Sequence, residues 1–212
     1  MRITKYGHSC LQVEVDRANL LIDPGTYSAG FEQLTGLTAV LITHKHPDHL
    51  DVDRVIDLLA ANPDAVVLAE ADSAAVLTEA GARVRTLTEG DSLDAADIGT
   101  SLTVVGREHA VIHRDMPVIG NAGYLVGGRL FHPGDSLVVP DQPVEILALP
   151  VSAPWMAVKE AIDYLRAVDP RVAVPIHEKV LAATGMVYGL LQQFAPADTR
   201  WLDLDDGQPA EL

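Results

Sequence analysis

Short apolar runs separated by polar or glycine-containing breaks fill the first sixty residues. The runs "RITKY", "LQVEV" and "NLLID" are split by "GHS" and "DRA", a pattern typical of antiparallel strands in a meander. The mostly apolar run "TAVLITH" predicts a buried strand. In "DVDRVIDLLAA", helical spacing aligns four apolar residues, and the acidic residue at position 51 suits the first turn of a helix. That apolar stripe consists of Val52, Val55, Ile56 and Leu59.

The same kinds of segment recur to the end of the chain. Strand "AVVLA", helix "DSAAVLTEAG" and strand "RVRTL" come next, and residues 91 to 132 return to strands in "SLTVVG", "GYLVG" and "RLFH". A last stretch reads strand "VEILALPV", helix "APWMAVKEAIDYLRAV", strand "RVAVPIHE", helix "TGMVYGLLQQFA" and strand "RWLDL". We therefore predict an α/β (α+β) protein, in which two mixed β-sheets pack face to face with helices on their outer faces. No linker-like segment interrupts the pattern, so we expect residues 1–212 to form a single domain.

Composition narrows the class of protein and its partners. A hydrophobic content of 48% in 212 residues favours a compact fold with a large core. We find no signal peptide and no run long enough to span a bilayer, which favours a cytoplasmic protein with no membrane partner. A net charge of −15 disfavours nucleic-acid binding and favours a small-molecule substrate. The sequence leaves a homo-oligomer open.

Three histidines and two aspartates are concentrated in "THKHPDHLD", residues 43–51. In an extended backbone, side chains two positions apart point the same way, so His44 and His46 can bind one ion together. After the proline turns the chain, Asp48 and His49 face a neighbouring position that suits a second ion. Imidazole with carboxylate suits zinc, iron or manganese, and the lack of a cysteine pair argues against a purely structural zinc site.

At these residues the chain resembles the metallo-β-lactamase superfamily. Its HxHxDH signature is matched position by position by His44, His46, Asp48 and His49. Three later segments supply the other ligands that the resemblance implies: "GREHAVIH" with His109, "FHPGDS" with Asp135 and "VAVPIHE" with His177. The resemblance thus implies two divalent ions, zinc first and manganese or iron as alternatives. His44, His46 and His109 would bind one ion, Asp48, His49 and His177 the other, and Asp135 both.

The resemblance also implies a fold and a reaction. The fold is a four-layer αββα sandwich, the metallo-β-lactamase fold, in which Asp23 of "LLIDPG" supports the metal-binding loop from behind. The reaction is hydrolysis of a small ester or lactone by a metal-bridging hydroxide, with Asp48 orienting the nucleophile. "GHSC" near the start places the chain closest to a compact branch that includes ascorbate-6-phosphate lactonase. A small-molecule or nucleotide phosphodiesterase and a non-catalytic metal-binding protein are the alternatives.

Several assignments stay open. We prefer His109 to His113 as the ligand, because His109 comes sooner after the strand "LTVVG"; His113 is then a substrate contact or acid, or else a surface residue. His132 is either close to the metals as a catalytic contact or bonded to backbone at a strand end. His8 lies at a strand junction from which it could reach the site. Trp155 opens a helix, where we prefer core packing to a role in the pocket wall.

The cations available for an anionic substrate are few. Four of them lie beside the expected ligands, namely Lys45, Arg107, Arg114 and Lys179. Each alone is more simply interpreted as a solvated surface charge.

Overall fold

Two seven-stranded sheets form the centre of the protein, seen in a computed structural model that describes residues 1–204 and 207–212. The first sheet contains β1 (Arg2–Lys5), β2 (Leu11–Val15), β3 (Ala18–Ile22), β4 (Ala39–Ile42), β5 (Val66–Ala69), β6 (Val84–Thr86) and the C-terminal β14 (Ala210–Glu211). The second contains β7 (Ser92–Leu93), β8 (Leu102–Val105), β9 (Gly123–Val126), β10 (Leu130–His132), β11 (Ile146–Pro150), β12 (Val172–Ile176) and β13 (Arg200–Trp201).

Five α-helices and two single 3₁₀ turns connect these strands within the described ranges. The helices are α1 (Val52–Ala61), α2 (Ala71–Glu79), α3 (Ala95–Ile98), α4 (Val158–Val168) and α5 (Gly185–Phe194). The 3₁₀ turns span Phe31–Gln33 and Glu178–Val180. None of the described helices is long and apolar enough to cross a membrane.

The two sheets repeat one pairing scheme. The first runs in the order β14-β1-β2-β3-β4-β5-β6 and the second in the order β13-β12-β11-β10-β9-β8-β7. In the first sheet the pairs from β14 to β3 are antiparallel and those from β3 to β6 are parallel. In the second, the pairs from β7 to β10 are antiparallel and those from β10 to β13 are parallel. Both sheets are mixed, which confirms the prediction.

Three apolar clusters define the layers. The central cluster lies between the sheets and combines residues such as Leu41 of β4 with Tyr124 of β9. A second cluster packs α1 and α2 on the first sheet, and a third packs α4 and α5 on the second. Each sheet therefore buries both faces, and the four-layer αββα arrangement that the resemblance implied is confirmed.

Local details differ from the sequence prediction. In α1, Val55 and Leu58 are the buried residues, whereas Ile56 of the expected stripe is only half-buried. Helix α4 begins at Val158, because residues 153–156 form a turn closed by a bridge between Ala153 and Met156. The short elements β7, α3 and β14 were not predicted.

Candidate metal centre

The candidate site lies where strands of both sheets end. His44 follows β4, Asp135 follows β10 and His177 follows β12 directly, each at the carboxyl end of its strand. His8 comes three residues after β1, and His109 lies in the loop that leaves β8. Residues after the carboxyl ends of parallel strands share one edge of a sheet, so this topology brings distant segments to a single place.

Asp23 fixes the turn that carries the histidine signature. Its Oδ1 accepts a hydrogen bond from the Thr43 amide at 2.8 Å, and its Oδ2 accepts one from the Thr43 hydroxyl at 2.7 Å. The same Oδ2 lies 2.7 Å from Nδ1 of His49. A Cβ at Gly25 would collide with the Asp48 carbonyl, so only glycine allows this close approach of the two loops. Asp23 thus gives the support from behind that the resemblance implied.

Residues 47–49 form a turn rather than the start of a helix. The amides of His49 and Leu50 both donate to the carbonyl of His46 at 2.9 Å, and α1 begins only at Val52. Asp51, the N-cap of α1, accepts a hydrogen bond from the Arg54 amide at 3.2 Å. The turn therefore directs Asp48 and His49 toward the site, and the capped start of α1 fixes the end of the turn.

One group of ligand atoms, the first group, consists of His44, His46, His109 and Asp135, with all four atoms within 4.8 Å of one another. Nε2 of His44 lies 3.1 Å from Nδ1 of His46. Nε2 of His109 lies 3.2 Å from Oδ2 of Asp135. His109 donates from Nδ1 to the Ala110 carbonyl, which leaves its Nε2 as an acceptor facing the group.

The second group consists of His8, Asp48, His49 and His177 within the same limit. His177 donates from Nδ1 to the Ser152 carbonyl at 2.7 Å, so its Nε2 faces inward. That atom lies 3.1 Å from Nε2 of His49, and His8 places its Nε2 3.1 Å from Oδ2 of Asp48. His8 was left undecided by the sequence, and its place in the group depends on contacts between segments forty or more residues apart.

Asp135 contacts both groups. Its Oδ1 lies 3.1 Å from Nε2 of His49 and 3.1 Å from Nε2 of His177, while its Oδ2 faces His109. Trp155 donates from Nε1 to Oδ2 at 2.9 Å, and its ring lies 5.9 Å from that of His109. Trp155 is half-buried at the site, so our preference for core packing was wrong.

In the metal-free site, ionised carboxylates face protonated histidines: burial lowers the pKa of His49, but Asp135 outweighs burial and raises it well above its usual value. Burial alone would raise the pKa of Asp135, but the neighbouring His49 and His177 outweigh burial and hold it well below its usual value. Burial lowers the pKa of His44, and it lowers that of His8 to about 4. Burial acts the same way on His177, but Asp135 outweighs it and raises the pKa to about 9. Metal binds ionised carboxylate and neutral imidazole, so a bound cation would replace the protons of His49 and His177.

Unsatisfied atoms test whether a metal fits. Four buried side-chain atoms of the described residues lack a hydrogen-bond partner, and two of them belong to residues of the first group, Nε2 of His109 and Oδ1 of Asp135. Buried polar atoms in proteins are nearly always satisfied, and a divalent cation would satisfy both atoms. The ring nitrogens of His44 and His46 that lie 3.1 Å apart would suit the same kind of partner. The residues present therefore fit a bound metal.

The structure separates the remaining candidate residues from these groups. The side chain of His113 is 58% exposed, accepts a hydrogen bond from the Asp115 amide and belongs to neither group. His132 is fully buried, donates from Nε2 to the Ser9 carbonyl at 2.9 Å and accepts from the Gly134 amide at 3.2 Å. Both ring nitrogens of His132 are thus occupied by backbone. The catalytic roles predicted for His113 and His132 gain no support from these positions.

A buried ion pair lies behind the second group. Nζ of Lys5 donates to Oε2 of Glu178 at 2.7 Å and to the Pro175 carbonyl at 2.8 Å. Oε1 of Glu178 accepts a hydrogen bond from the His8 amide at 3.1 Å. The pair links the end of β1 to the end of β12, and sequence reasoning missed it, because residues 5 and 178 share no local pattern.

Comparison with known proteins places the chain in a family. The model for the family described as "Beta-lactamase superfamily domain" matches residues 2–177. Protein Rv0786c of Mycobacterium tuberculosis is 49% identical over 205 residues, which cover 93% of this chain and 94% of that protein. A UPF0173 metal-dependent hydrolase of Aeropyrum pernix is 30% identical over 200 residues, or 83% of this chain and 81% of that one.

A solved structure shows the same fold. Igni18, a novel metallo hydrolase from Ignicoccus hospitalis, aligns with a TM-score of 0.75 at 20% identity and covers 100% of this chain and 98% of its own. The family match over residues 2–177 and the similarity to the Aeropyrum pernix protein show that the chain belongs to the metallo-β-lactamase superfamily, in its family of UPF0173 metal-dependent hydrolases.

Proposed function

We propose that this protein is a dinuclear metal-dependent hydrolase that cleaves small esters or lactones. Its family is one of metal-dependent hydrolases. The position of Asp135 carries the dinuclear part of the proposal. One oxygen lies 3.1 Å from His49 and His177, and the other lies 3.2 Å from His109. A carboxylate that faces two ligand groups is suited to bridge two cations.

The two groups divide the ligands. His44, His46 and His109 would bind the first ion, and Asp48, His49 and His177 the second, with His8 completing the second set and Asp135 shared by both. Zinc is the first choice for histidine and carboxylate ligands, with manganese or iron as alternatives. Two such cations would activate water at neutral pH and polarise the carbonyl oxygen of the ester or lactone.

The residues of this chain position the reaction. Asp48 is the ligand carboxylate with access to solvent, its side chain being 22% exposed, so it can accept a hydrogen bond from a water and orient it. Trp155 holds Oδ2 of Asp135 through its indole N–H, which fixes the orientation of the shared carboxylate. His49 and His177 are oriented in the same way, because their Nδ1 atoms donate hydrogen bonds to Asp23 and to the Ser152 carbonyl.

Charge favours a neutral ester over a phosphodiester. Each of the four cations considered for an anionic substrate has an acidic neighbour: Lys45 is 3.2 Å from Asp72, Arg107 is 3.9 Å from Glu108, Arg114 is 3.8 Å from Asp115 and Lys179 is 3.9 Å from Glu178. An anion would have to compete with these carboxylates as well as with the overall charge of −15. The full set of ligands argues in turn against a non-catalytic metal-binding protein.

A substrate panel tests the proposal. Zinc-loaded protein should hydrolyse esters or lactones in a panel that also contains thioesters, phosphodiesters and phosphomonoesters. The variant Asp135→Asn should lose this activity, because it removes the shared negative charge, whereas Asp115→Asn at an exposed carboxylate should retain it. Activity confined to phosphodiesters would favour the alternative enzyme, and no activity in any class would contradict the proposal.

A further inference from the structure

A small apolar cavity adjoins the first group. Its volume is about 120 Å³, and His46 and His109 are among the residues that line it. The other walls come from the loop after His109, from Ala110, Ile112 and residues 116–119. The cavity therefore shares two of the proposed ligands with the reaction site.

The loop presents apolar side chains to solvent around this cavity. Met116 is 49% exposed and Val118 is 48% exposed, although both are large hydrophobic residues. Among the described residues that line the cavity, the two histidines are the only titratable ones. A hydroxylated sugar would find few hydrogen-bond partners there, whereas an apolar group would gain from leaving water.

From these contacts we infer that the substrate carries an apolar group next to the bond that is cleaved, and that this cavity binds that group. The group has about four carbons, because an apolar cavity of ~150 Å³ holds the six carbons of benzene and this cavity is smaller. This inference rests on the proposed function and names its substrate class: alkyl esters or alkyl-substituted lactones rather than sugar derivatives.

Two series of esters test the inference with zinc-loaded protein. One lengthens the acyl chain from acetate to octanoate, and the other lengthens the alcohol. In one of the series, kcat/KM should rise about fourfold per added methylene until the cavity is filled at about four carbons, and should then level off. A flat response in both series would overturn the inference while leaving hydrolysis itself intact.

Variants locate the effect in the cavity. The double variant Met116→Ser/Val118→Ser should reduce the dependence on chain length. The conservative single variant Met116→Leu, with Val118 unchanged, should retain most of it. Val111→Ser is the matched control, because Val111 lies in the same loop and is 61% exposed but does not line the cavity. Equal loss of chain-length dependence in the control and the double variant would contradict the assignment.

Binding can be measured without turnover. In zinc-loaded protein with ¹³C-labelled methionine methyl groups, 1-pentanol should shift the Met116 signal, assigned through Met116→Leu, to saturation. Met186, which is 77% exposed and outside the cavity, serves as the internal control. A shift at Met116 in a protein that cleaves no ester would support the cavity and reject the proposed function. Equal shifts at both methionines, or none, would reject the cavity.

Discussion

Asp135 shows how much a single side chain can organise. Only 3% of its surface is accessible to solvent, and it stays ionised because two histidines face it. Repulsion between two nearby cations is strong, and a shared carboxylate offsets it. The indole of Trp155 occupies one remaining acceptor direction. Each of these contacts joins segments far apart in the chain.

Two histidines in one loop should respond differently to substitution. His109→Ala removes an inward-facing nitrogen of the first group, so it should lower metal content and abolish hydrolysis. His113→Ala alters a side chain that is 58% exposed, so metal content should stay at the wild-type value. Elemental analysis after dialysis measures both. If His113→Ala loses metal and His109→Ala does not, the assignment of the two residues is reversed.

The raised pKa of His177 predicts a pH dependence for the metal-free protein. In the folded protein this pKa is about 9, above the ordinary value of 6.5, because Asp135 outweighs burial. Protonated His177 therefore contributes stability that is fully present below about pH 6.5 and is lost as the pH rises through about 9. Denaturant unfolding should show the free energy of unfolding of metal-free protein falling across this range.

Zinc-loaded protein is the control for that measurement. Bound metal keeps His177 unprotonated, so the loss of stability that this residue causes between about pH 6.5 and 9 should disappear. Burial raises the pKa of the Cys10 thiol and also lowers stability at high pH, but Cys10 acts equally in both forms. His49, whose pKa Asp135 also raises, contributes in the same direction as His177. A metal-free protein whose stability is constant or rises from pH 6.5 to 9, relative to the zinc-loaded form, would contradict the raised pKa of both histidines.

At the scale of elements, the ends of β1 and β12 are tied together by the Lys5–Glu178 pair. Breaking a buried ion pair by removing one partner costs about 3 to 5 kcal/mol, whereas a partly exposed pair contributes about 1 kcal/mol or less. Lys5→Met should therefore lower the free energy of unfolding far more than Arg129→Met, which breaks the partly exposed Arg129–Glu145 pair. Urea unfolding of the zinc-loaded variants measures both losses, and equal losses would contradict a structural role for Lys5.

The elements themselves were largely predictable. Strands β1 to β5 and helices α1, α2 and α5 follow local periodicity, because alternating or helical spacing of apolar residues is contained in each segment. The turn at residues 153–156 was not predictable, since Trp155 leaves the helical pattern in order to reach Asp135. Strand β14 depends on pairing with β1 at the other end of the chain, which no local pattern contains.

The same distinction holds for the site. The residues of HxHxDH lie within six positions, so their joint role could be inferred from spacing and resemblance. His8 joins Asp48 and His177 only after β1 and β12 have packed in the two facing sheets. Sequence could not distinguish a histidine that faces the ligands from one whose ring nitrogens bond to backbone, which is the position of His132.

At the scale of the whole molecule, two sheets of the same pairing scheme meet face to face and place their strand ends at one edge. The first sheet contributes the histidine signature and His8, and the second contributes His109, Asp135 and His177. Neither sheet has a complete set of ligands. The central apolar cluster that holds the sheets together is therefore also what assembles the site.

The proposed function requires that this assembly binds two metal ions, and the zinc content of the saturated protein decides whether it does. Protein saturated with zinc, freed of excess metal by gel filtration and analysed for elemental zinc should contain about two ions per chain, since the two groups of four ligands exceed what one tetrahedral ion can use. A content of one ion per chain or less under saturating zinc would contradict the dinuclear centre.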